Sequence, residues 1–280
     1  MTGTIIVTGA TGSMGAAAVR QLTDRGYGVI MACRNMEKAD NVRKDIIVRN
    51  PSAAVYSLHL NLSDPDSIRE FASTASALIS DEGLELVGLF NNAGIINRSY
   101  GLTDNGIERT LATNYIGPYL LTRLLLPAMA NDAHIVNMVS LTCRYASVGQ
   151  DLFDRPESRF SQLGTYADTK LALLLSSIAL ADRLSGDNRN IRVNVADPGV
   201  VNSNMLSMGR WFDPLADALF RPFCKSPEKG VLPAINALHT GSSLMYFKGN
   251  GSKPIPEKYK SHPDIEWLWN KTAELCRLTD

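Results

Sequence analysis

Cysteine is sparse in this chain. Only Cys33, Cys143, Cys224 and Cys276 occur in 280 residues, and no two of them form a C-x-x-C pair. Such spacing supplies neither a metal-ligand set nor a disulfide framework, so no metal is expected and the thiols read as reduced. Net charge is missing too, because 28 Lys plus Arg balance 28 Asp plus Glu. Without a basic excess there is no electrostatic case for nucleic acid or an anionic membrane surface as partner. No apolar run approaches the roughly 20 residues that a membrane span requires. The opening stretch MTGTIIVTGATG carries no basic segment ahead of its apolar residues, which points away from a signal peptide and toward a cytoplasmic protein. Linkers, repeats and low-complexity segments are also absent, which leaves one domain over residues 1–280.

What the chain does contain is alternation. Short apolar runs at Thr4–Thr8, Val29–Cys33, Ala54–Leu60, Leu86–Asn91, His134–Ser140 and Ile191–Ala196 read as strands. Helical patterns lie between them, at Ser13–Arg25, in a polar stretch to about Val48, and at Asp64–Ser80, Asn105–Met129 and Ser161–Leu184. Ser63 is the expected N-cap of the third helix, with Pro65 in its first turn. Strands that are apolar on both faces, separated by helices, imply a parallel sheet covered on both sides. With right-handed crossovers the expectation is an α/β, single-domain, Rossmann-type doubly wound sheet with flanking helices. Past Ser203 the pattern loosens into a helix at Pro227–His239, a short strand at Leu244–Phe247 and a last helix at Pro263–Leu275.

The first strand runs into Thr8-Gly9-Ala10-Thr11-Gly12-Ser13-Met14-Gly15, and a helix follows. In that setting Gly9 permits a tight turn, Gly12 lets the backbone approach a pyrophosphate, and Gly15 lets helix and strand pack closely. The N–H groups at the helix start, around Thr11, Ser13 and Met14, then face the anion. A glycine trio alone is a weak signal; its place after a strand and before a helix makes it a dinucleotide-site signal. The second strand ends at Cys33, followed by Arg34. An NAD site would place a carboxylate here for the ribose 2′-hydroxyl. A small neutral residue does not repel a 2′-phosphate, and Arg34 can pair with one. NADP(H) is therefore expected rather than NAD(H).

With these features in place, the chain resembles the short-chain dehydrogenase/reductase family. The matching motifs run in order: the Thr8–Gly15 turn, Asn91-Asn92-Ala93-Gly94, Asn114, Ser140, Tyr166-x-x-x-Lys170 and Pro198-Gly199. Each is weak by itself, since a Tyr-x-x-x-Lys spacing arises by chance and a serine after a strand is usually a cap. Their order carries the specificity. The stretch ACRNMEKA at 32–39 and the tail segments Lys225–Gly230, Tyr246-Phe247 and Trp267–Cys276 are similar to the retinol-dehydrogenase-like, NADP-type branch.

The resemblance implies hydride transfer between NADP(H) and a carbonyl or alcohol, with Tyr166, Lys170, Ser140 and Asn114 as the catalytic set. The residue chemistry supports these roles. A free phenol has a pKa near 10. Lys170 lies one helical turn on, and its ammonium is expected to lower that value. Tyr166 then donates or takes the proton, and Ser140 steadies the substrate oxygen. The family further places Tyr166 and Lys170 against the nicotinamide ribose, and Asn114 in a proton relay through a small break in helical bonding. It sets Asn61 and Leu62 at the adenine, and Asn92, Ala93 and Gly94 along the cofactor. Pro198, Gly199, Val201 and Ser203 fall beside the nicotinamide and pyrophosphate. Asn91 either ties neighbouring strands or touches the adenosine ribose.

Several features depart from the family pattern. The glycine spacing matches the extended branch of epimerases and dehydratases, which keeps that activity as one alternative. Asn61 replaces the usual aspartate at the adenine amino group, and its carbonyl oxygen is expected to accept there instead. Val139 stands where a second serine is common. Ser140 and Tyr166 are separated by about twice the usual interval, and the insertion at 144–165 is expected to be a loop at the mouth of the site with solvated charges. A lid over about 202–225 is rich in Met, Trp, Phe and Leu, which suggests an apolar substrate. The helix at 166–184 is apolar nearly all round and must be covered, by a second copy in a homodimer or by the lid and tail of a monomer. A cofactor-binding sensor or scaffold without turnover is the other alternative.

Overall fold

The computed structural model describes residues 2–201 and 224–278. Eight strands among them form one sheet: β1 (Thr4–Thr8), β2 (Gly28–Cys33), β3 (Val55–His59), β4 (Leu86–Asn91), β5 (Met129–Met138), β6 (Arg192–Asp197), β7 (Met245–Lys248) and β8 (Gly251–Pro254). They lie in the order β3-β2-β1-β4-β5-β6-β7-β8. The first seven run parallel, with Val7 paired to Met31 on one side and Phe90 on the other. Every side chain of β1 and β2 is buried, as expected of strands covered on both faces.

One face carries α1 (Ser13–Thr23), α2 (Met36–Arg49) and α6 (Pro227–Ala237) over a core that includes Val7, Val29, Met31 and Phe90. The opposite face carries α3 (Pro65–Asp81), α4 (residues 109–125), α5 (Gln162–Leu184) and α8 (Ile265–Leu275) over Ile6, Ile30, Leu89 and Ile135. A four-residue helix, α7 (Glu257–Lys260), precedes α8. The order of strands reverses between β1 and β4, which opens the crevice where ligands of doubly wound sheets bind.

Several boundaries differ from expectation, each for a local reason. The N-cap of α3 is Asp64, whose side chain accepts from the Asp66 N–H. Ser63 is not the cap; its hydroxyl and its N–H both donate to Asn61 Oδ1. Helix α4 begins at Arg109 rather than near Asn105: a Thr103–Gly106 turn pairs Leu102 with Glu108, and the Glu108 carboxylate then caps the Leu111 N–H. Strand β5 starts earlier than expected and ends at Met138, two residues before Ser140. The sheet is not wholly parallel, since β8 returns antiparallel to β7. All of β8 is exposed and none of it apolar apart from Pro254, so it carried no periodic signal.

Helix α8 lies across α4 and α5. Trp269 meets Tyr119 edge-on at 4.8 Å between ring centroids, and Arg183 and Arg123 lie over its ring at 4.5 and 5.1 Å. Arg183 also forks onto Glu266 at 2.8 and 3.3 Å. Tyr115 and Thr272 share a buried 2.6 Å hydrogen bond between their hydroxyls. Among the described residues no helix is long and apolar enough to cross a membrane, and no cluster of His, Cys, Asp or Glu could hold a metal ion.

Candidate active site

The glycine turn is built by close approach. Gly9 has φ +64°, and a Cβ there would meet the Ala93 Cα at 3.0 Å. At Gly15 a Cβ would fall 2.2 Å from the Gly9 carbonyl oxygen, so α1 can start this close to β1 only without a side chain. The turn is stitched to the neighbouring loop: the Ala93 N–H donates to Thr8 Oγ1 at 3.0 Å, and Asn92 Nδ2 donates to the Thr8 carbonyl at 2.9 Å. Asn91 instead donates to Asn137 and Thr122 at 2.8 and 3.0 Å. Of its two anticipated roles it performs the first, tying β4 to β5.

A cavity of about 600 Å³ opens along these turns. It is lined by Gly9, Thr11, Gly12, Ser13, Met14 and Gly15 from the first turn, Arg34 after β2, Asn61 and Leu62 after β3, and Asn92, Ala93 and Gly94 after β4. This groove fits a dinucleotide. It follows the carboxyl ends of β1 to β4, and α1 opens onto it with Gly12 as an N-cap that has no side-chain cap bond, so N–H groups there are free for an anion. The Oδ1 of Asn92 is buried without a partner on the same wall, a vacancy that a ligand hydroxyl would fill.

The outer end of the cavity is cationic. Asn35 caps α2 by accepting from the Lys38 N–H at 2.8 Å, which places Arg34 and Lys38 together on the cavity wall. Lys38 escaped the sequence reading. Its signal was a cation one helical turn past Arg34 in a helix that an asparagine caps. The Cys33 thiol is buried and pushed up to about 12 by desolvation, against hydrogen bonds from Ala10 and Thr11, so it stays neutral. Asn61 behaves differently from expectation. Its Oδ1 already accepts from the Ser63 N–H at 3.2 Å and the Ser63 hydroxyl at 2.8 Å, which uses both lone pairs. The amide therefore turns its NH₂, not its carbonyl, away from that turn.

The four catalytic candidates do not line this cavity; they gather behind Gly94, which does. Gly94 brings them within reach: a Cβ there would lie 3.3 Å from Lys170 Nζ and 3.5 Å from Asn114 Oδ1. Helix α4 contains a π-helical turn, Ala112–Ile116, centred on Asn114, which is the break in helical bonding that the resemblance implied. The Asn114 amide exchanges two hydrogen bonds with the Ile95 backbone at 2.8 and 2.9 Å, and donates to Thr169 Oγ1 at 3.2 Å. Lys170 is buried and donates to the Met138 carbonyl at 2.8 Å. Its Nζ lies 5.8 Å from the Tyr166 ring centroid, and the Tyr166 hydroxyl engages Ser140. Ser140 also accepts from the Thr142 N–H at 3.3 Å.

The ionisation of this site runs opposite to the sequence expectation. Desolvation pushes Tyr166 up to about 12 despite the hydrogen bond with Ser140, and the negative Asp197 nearby adds to the rise. Burial also brings Lys170 down to about 8. The reason is depth: the cost of burying a charge is the largest influence on both groups. Tyr166 is therefore a protonated donor at neutral pH.

Pro198, Gly199 and Val201 do not line the cavity. Gly199 has φ +73° and its N–H donates to Asp197 Oδ1 at 2.9 Å, while Lys225 Nζ reaches the Pro198 carbonyl at 3.4 Å. Val201 is buried beneath Gly230 and Met14. Ser203 and most of the lid segment lie outside the described residues. In the insertion Asp151, Asp154, Glu157 and Arg159 are exposed, as expected of its charges, but Arg155 is not, and the segment has a core of its own. Val148, Leu152 and Phe153 are buried, and Arg155 forms a 2.7 Å ion pair with Asp168; among its charges, Asp151 and Arg159 pair at 2.9 Å in the open.

A family model described as short chain dehydrogenase matches residues 3–210. Human retinol dehydrogenase 13 is 31% identical over 287 residues, covering 98% of this chain and 85% of its own. The chloroplastic short-chain dehydrogenase TIC 32 B of Brassica napus is 36% identical over 211 residues, which is 72% of this chain and 65% of that protein. Among solved structures, an uncharacterised protein from Mycobacterium paratuberculosis superposes with a TM-score of 0.77 at 28% identity, over 99% of this chain and 94% of that one. A metagenomic short-chain oxidoreductase solved in complex with NADP gives 0.61 at 25% identity, over 86% and 93%.

Proposed function

Because the chain belongs to the short-chain dehydrogenase/reductase family and is retinol-dehydrogenase-like along nearly its whole length, we propose that it is an NADP(H)-dependent oxidoreductase of an apolar carbonyl or alcohol. The observation that carries the reading is the gathering of Asn114, Ser140, Tyr166 and Lys170 behind Gly94, one of the residues that line the groove. A bound nicotinamide supplies the hydride. Tyr166, held protonated by burial, gives its proton to the substrate oxygen, and the Ser140 hydroxyl steadies the charge that develops there. In this reading Lys170 holds ribose hydroxyls and replaces the phenol's proton through its own N–H groups. A sensor that never turns over has no use for all four groups. Nucleotide-sugar chemistry is supported by the glycine spacing alone.

Arg34 and Lys38 support NADP(H) over NAD(H), with the neutral Cys33 beneath them. Apolar side chains left exposed at Leu141, Tyr145, Leu163 and Val200 flank Ser140, Tyr166 and Gly199 in the chain, and they support an apolar substrate. The test is nicotinamide oxidation with NADPH and NADH against apolar aldehydes and ketones. Arg34→Ala is expected to raise the KM for NADPH by about 10- to 100-fold, the worth of a charge-assisted contact, and to leave that for NADH nearly unchanged. An unaltered NADPH KM would remove the basis for the cofactor assignment.

Of the two oligomeric expectations, the monomer is better supported. Pairing through α4 and α5 would require α8, with Trp269 clasped between two arginines, to leave their surface. Sedimentation velocity is expected to give a species of one chain's mass, and a stable species of twice that mass would overturn this.

A further inference from the structure

The turn that leads into Tyr166 is weak by its own sequence. Tyr166 follows directly on the first turn of α5, residues 162–165, whose leading N–H groups have no partner within the helix. Gly164 lies in it and favours the unfolded chain. Its cap is a long bond, from the Gly164 N–H to Ser161 Oγ at 3.4 Å. The other bonds at the cap, Thr165 N–H to the Ser161 carbonyl at 2.7 Å and Ser161 N–H to Thr165 Oγ1 at 3.4 Å, close the turn on itself and do not tie it to the rest of the protein.

The insertion at 144–165 supplies what the turn lacks. Arg155 reaches the helix with both terminal nitrogens, Nη1 to Thr165 Oγ1 at 3.2 Å and Nη2 to Asp168 Oδ2 at 2.7 Å. Thr165 and Asp168 bracket Tyr166, and the side chains of Arg155 and Asp168 are only 12% and 11% exposed. The second carboxylate oxygen of Asp168 accepts from the Ser147 N–H at 2.9 Å, so the start and the middle of the insertion grip one acid. Arg155 is itself braced, because its carbonyl accepts from the Tyr100 hydroxyl at 3.1 Å, and Tyr100 meets Phe160 edge-on. From the inner side, Thr169 donates to the Tyr166 carbonyl at 2.7 Å and accepts from Asn114.

A residue two places along a helix points to nearly the opposite side. Asp168 therefore faces away from Tyr166 and Lys170, and Arg155 touches no reacting atom. A buried ion pair is a poor source of stability, since apolar residues of similar volume do as well. It does specify one geometry.

We propose that Arg155 is a positioning residue: through Thr165 and Asp168 it clamps the first turn of the catalytic helix so that the Tyr166 hydroxyl stays against Ser140. The assignment rests on the reductase reading for its effect on rate. Errors of about 1 Å in such placement cost on the order of 100-fold in rate.

The experiment compares the wild type with Arg155→Met, Arg155→Lys and the double variant Arg155→Met/Asp168→Leu, the last leaving no unpaired buried charge. NADPH affinity is read by fluorescence titration, kcat and KM with the best carbonyl, the solvent deuterium isotope effect on kcat, and melting by circular dichroism. Arg155→Met and the double variant are expected to lose about 10- to 100-fold in kcat with NADPH affinity within about twofold and a larger isotope effect, as proton transfer becomes limiting. Arg155→Lys is expected to recover part of the loss. A double variant that keeps the wild-type kcat and isotope effect, whatever its melting temperature, overturns the proposal and leaves a purely structural brace. Should the wild type reduce no carbonyl tested, the reductase reading fails separately. Amide exchange at residues 163–169 then decides the clamp: faster exchange in Arg155→Met supports it, and unchanged exchange overturns it.

Discussion

A Tyr166→Phe protein is expected to lose about 10²- to 10⁴-fold in turnover, the usual worth of a positioned acid, while its NADPH affinity stays within about twofold. The substitution removes one oxygen and leaves the ring. Lys170 does not depend on that oxygen for its place, because it is fixed by the Met138 carbonyl. What is lost is the phenol hydrogen-bonded with Ser140, a donor kept protonated by burial, which pushes its pKa up to about 12. Nicotinamide absorbance under saturating cofactor reads the rate, and fluorescence titration reads the affinity. A variant that retains a tenth or more of the wild-type kcat would mean that another group delivers the proton, and the assigned mechanism would fall.

Gly15→Ala should act on the other half of the site with a comparable effect. The added Cβ would sit 2.2 Å from the Gly9 carbonyl oxygen and 2.8 Å from the Ala10 Cα. Both obstacles are backbone, so no side chain can swing aside, and α1 must draw back from the turn. Forced overpacking of this kind costs about 1–3 kcal/mol, which corresponds to roughly 2–10 °C in Tm for a chain of this size. The same shift withdraws the N–H groups that would face a pyrophosphate, and NADPH affinity is expected to fall on the order of 100-fold, about two charge-assisted bonds. Gly186→Ala serves as the comparison, since a Cβ there meets nothing within 4 Å. Equal affinities in the two variants would show that the turn is not where the cofactor is held.

The chain's own order made much of this readable in advance. Strands β1 and β4 begin and end where their apolar runs do, because a strand buried on both faces needs nothing but apolar residues between turn formers. The glycine turn, Asn92 to Gly94, and the Tyr166–Lys170 pair were legible for the same reason: each is a local pattern whose meaning comes from the strand or helix beside it. The cofactor's cationic end was half legible, through Arg34 and not Lys38.

The rest needed the tertiary structure, since it depends on segments distant in the chain. Ser63 is the better-looking cap until Asn61 takes its hydroxyl, and Asn61 is a ready acceptor until Ser63 fills it. The cover on α5 comes from α8, some ninety residues later by number, and β8 exists only because β7 lies beside it. Arg155 looked like one more solvated charge, and only the folded insertion turns it inward against Asp168. The sign of the Tyr166 shift was misjudged because spacing reveals a neighbouring ammonium, whereas desolvation is set by everything that closes around the phenol. Sequence alone determined the order of the elements from β1 to β7 and singled out the groups proposed to react, because these follow from local patterns. Burial, pairing and protonation were decided by the packed structure, because each is a property of the surroundings that distant segments provide.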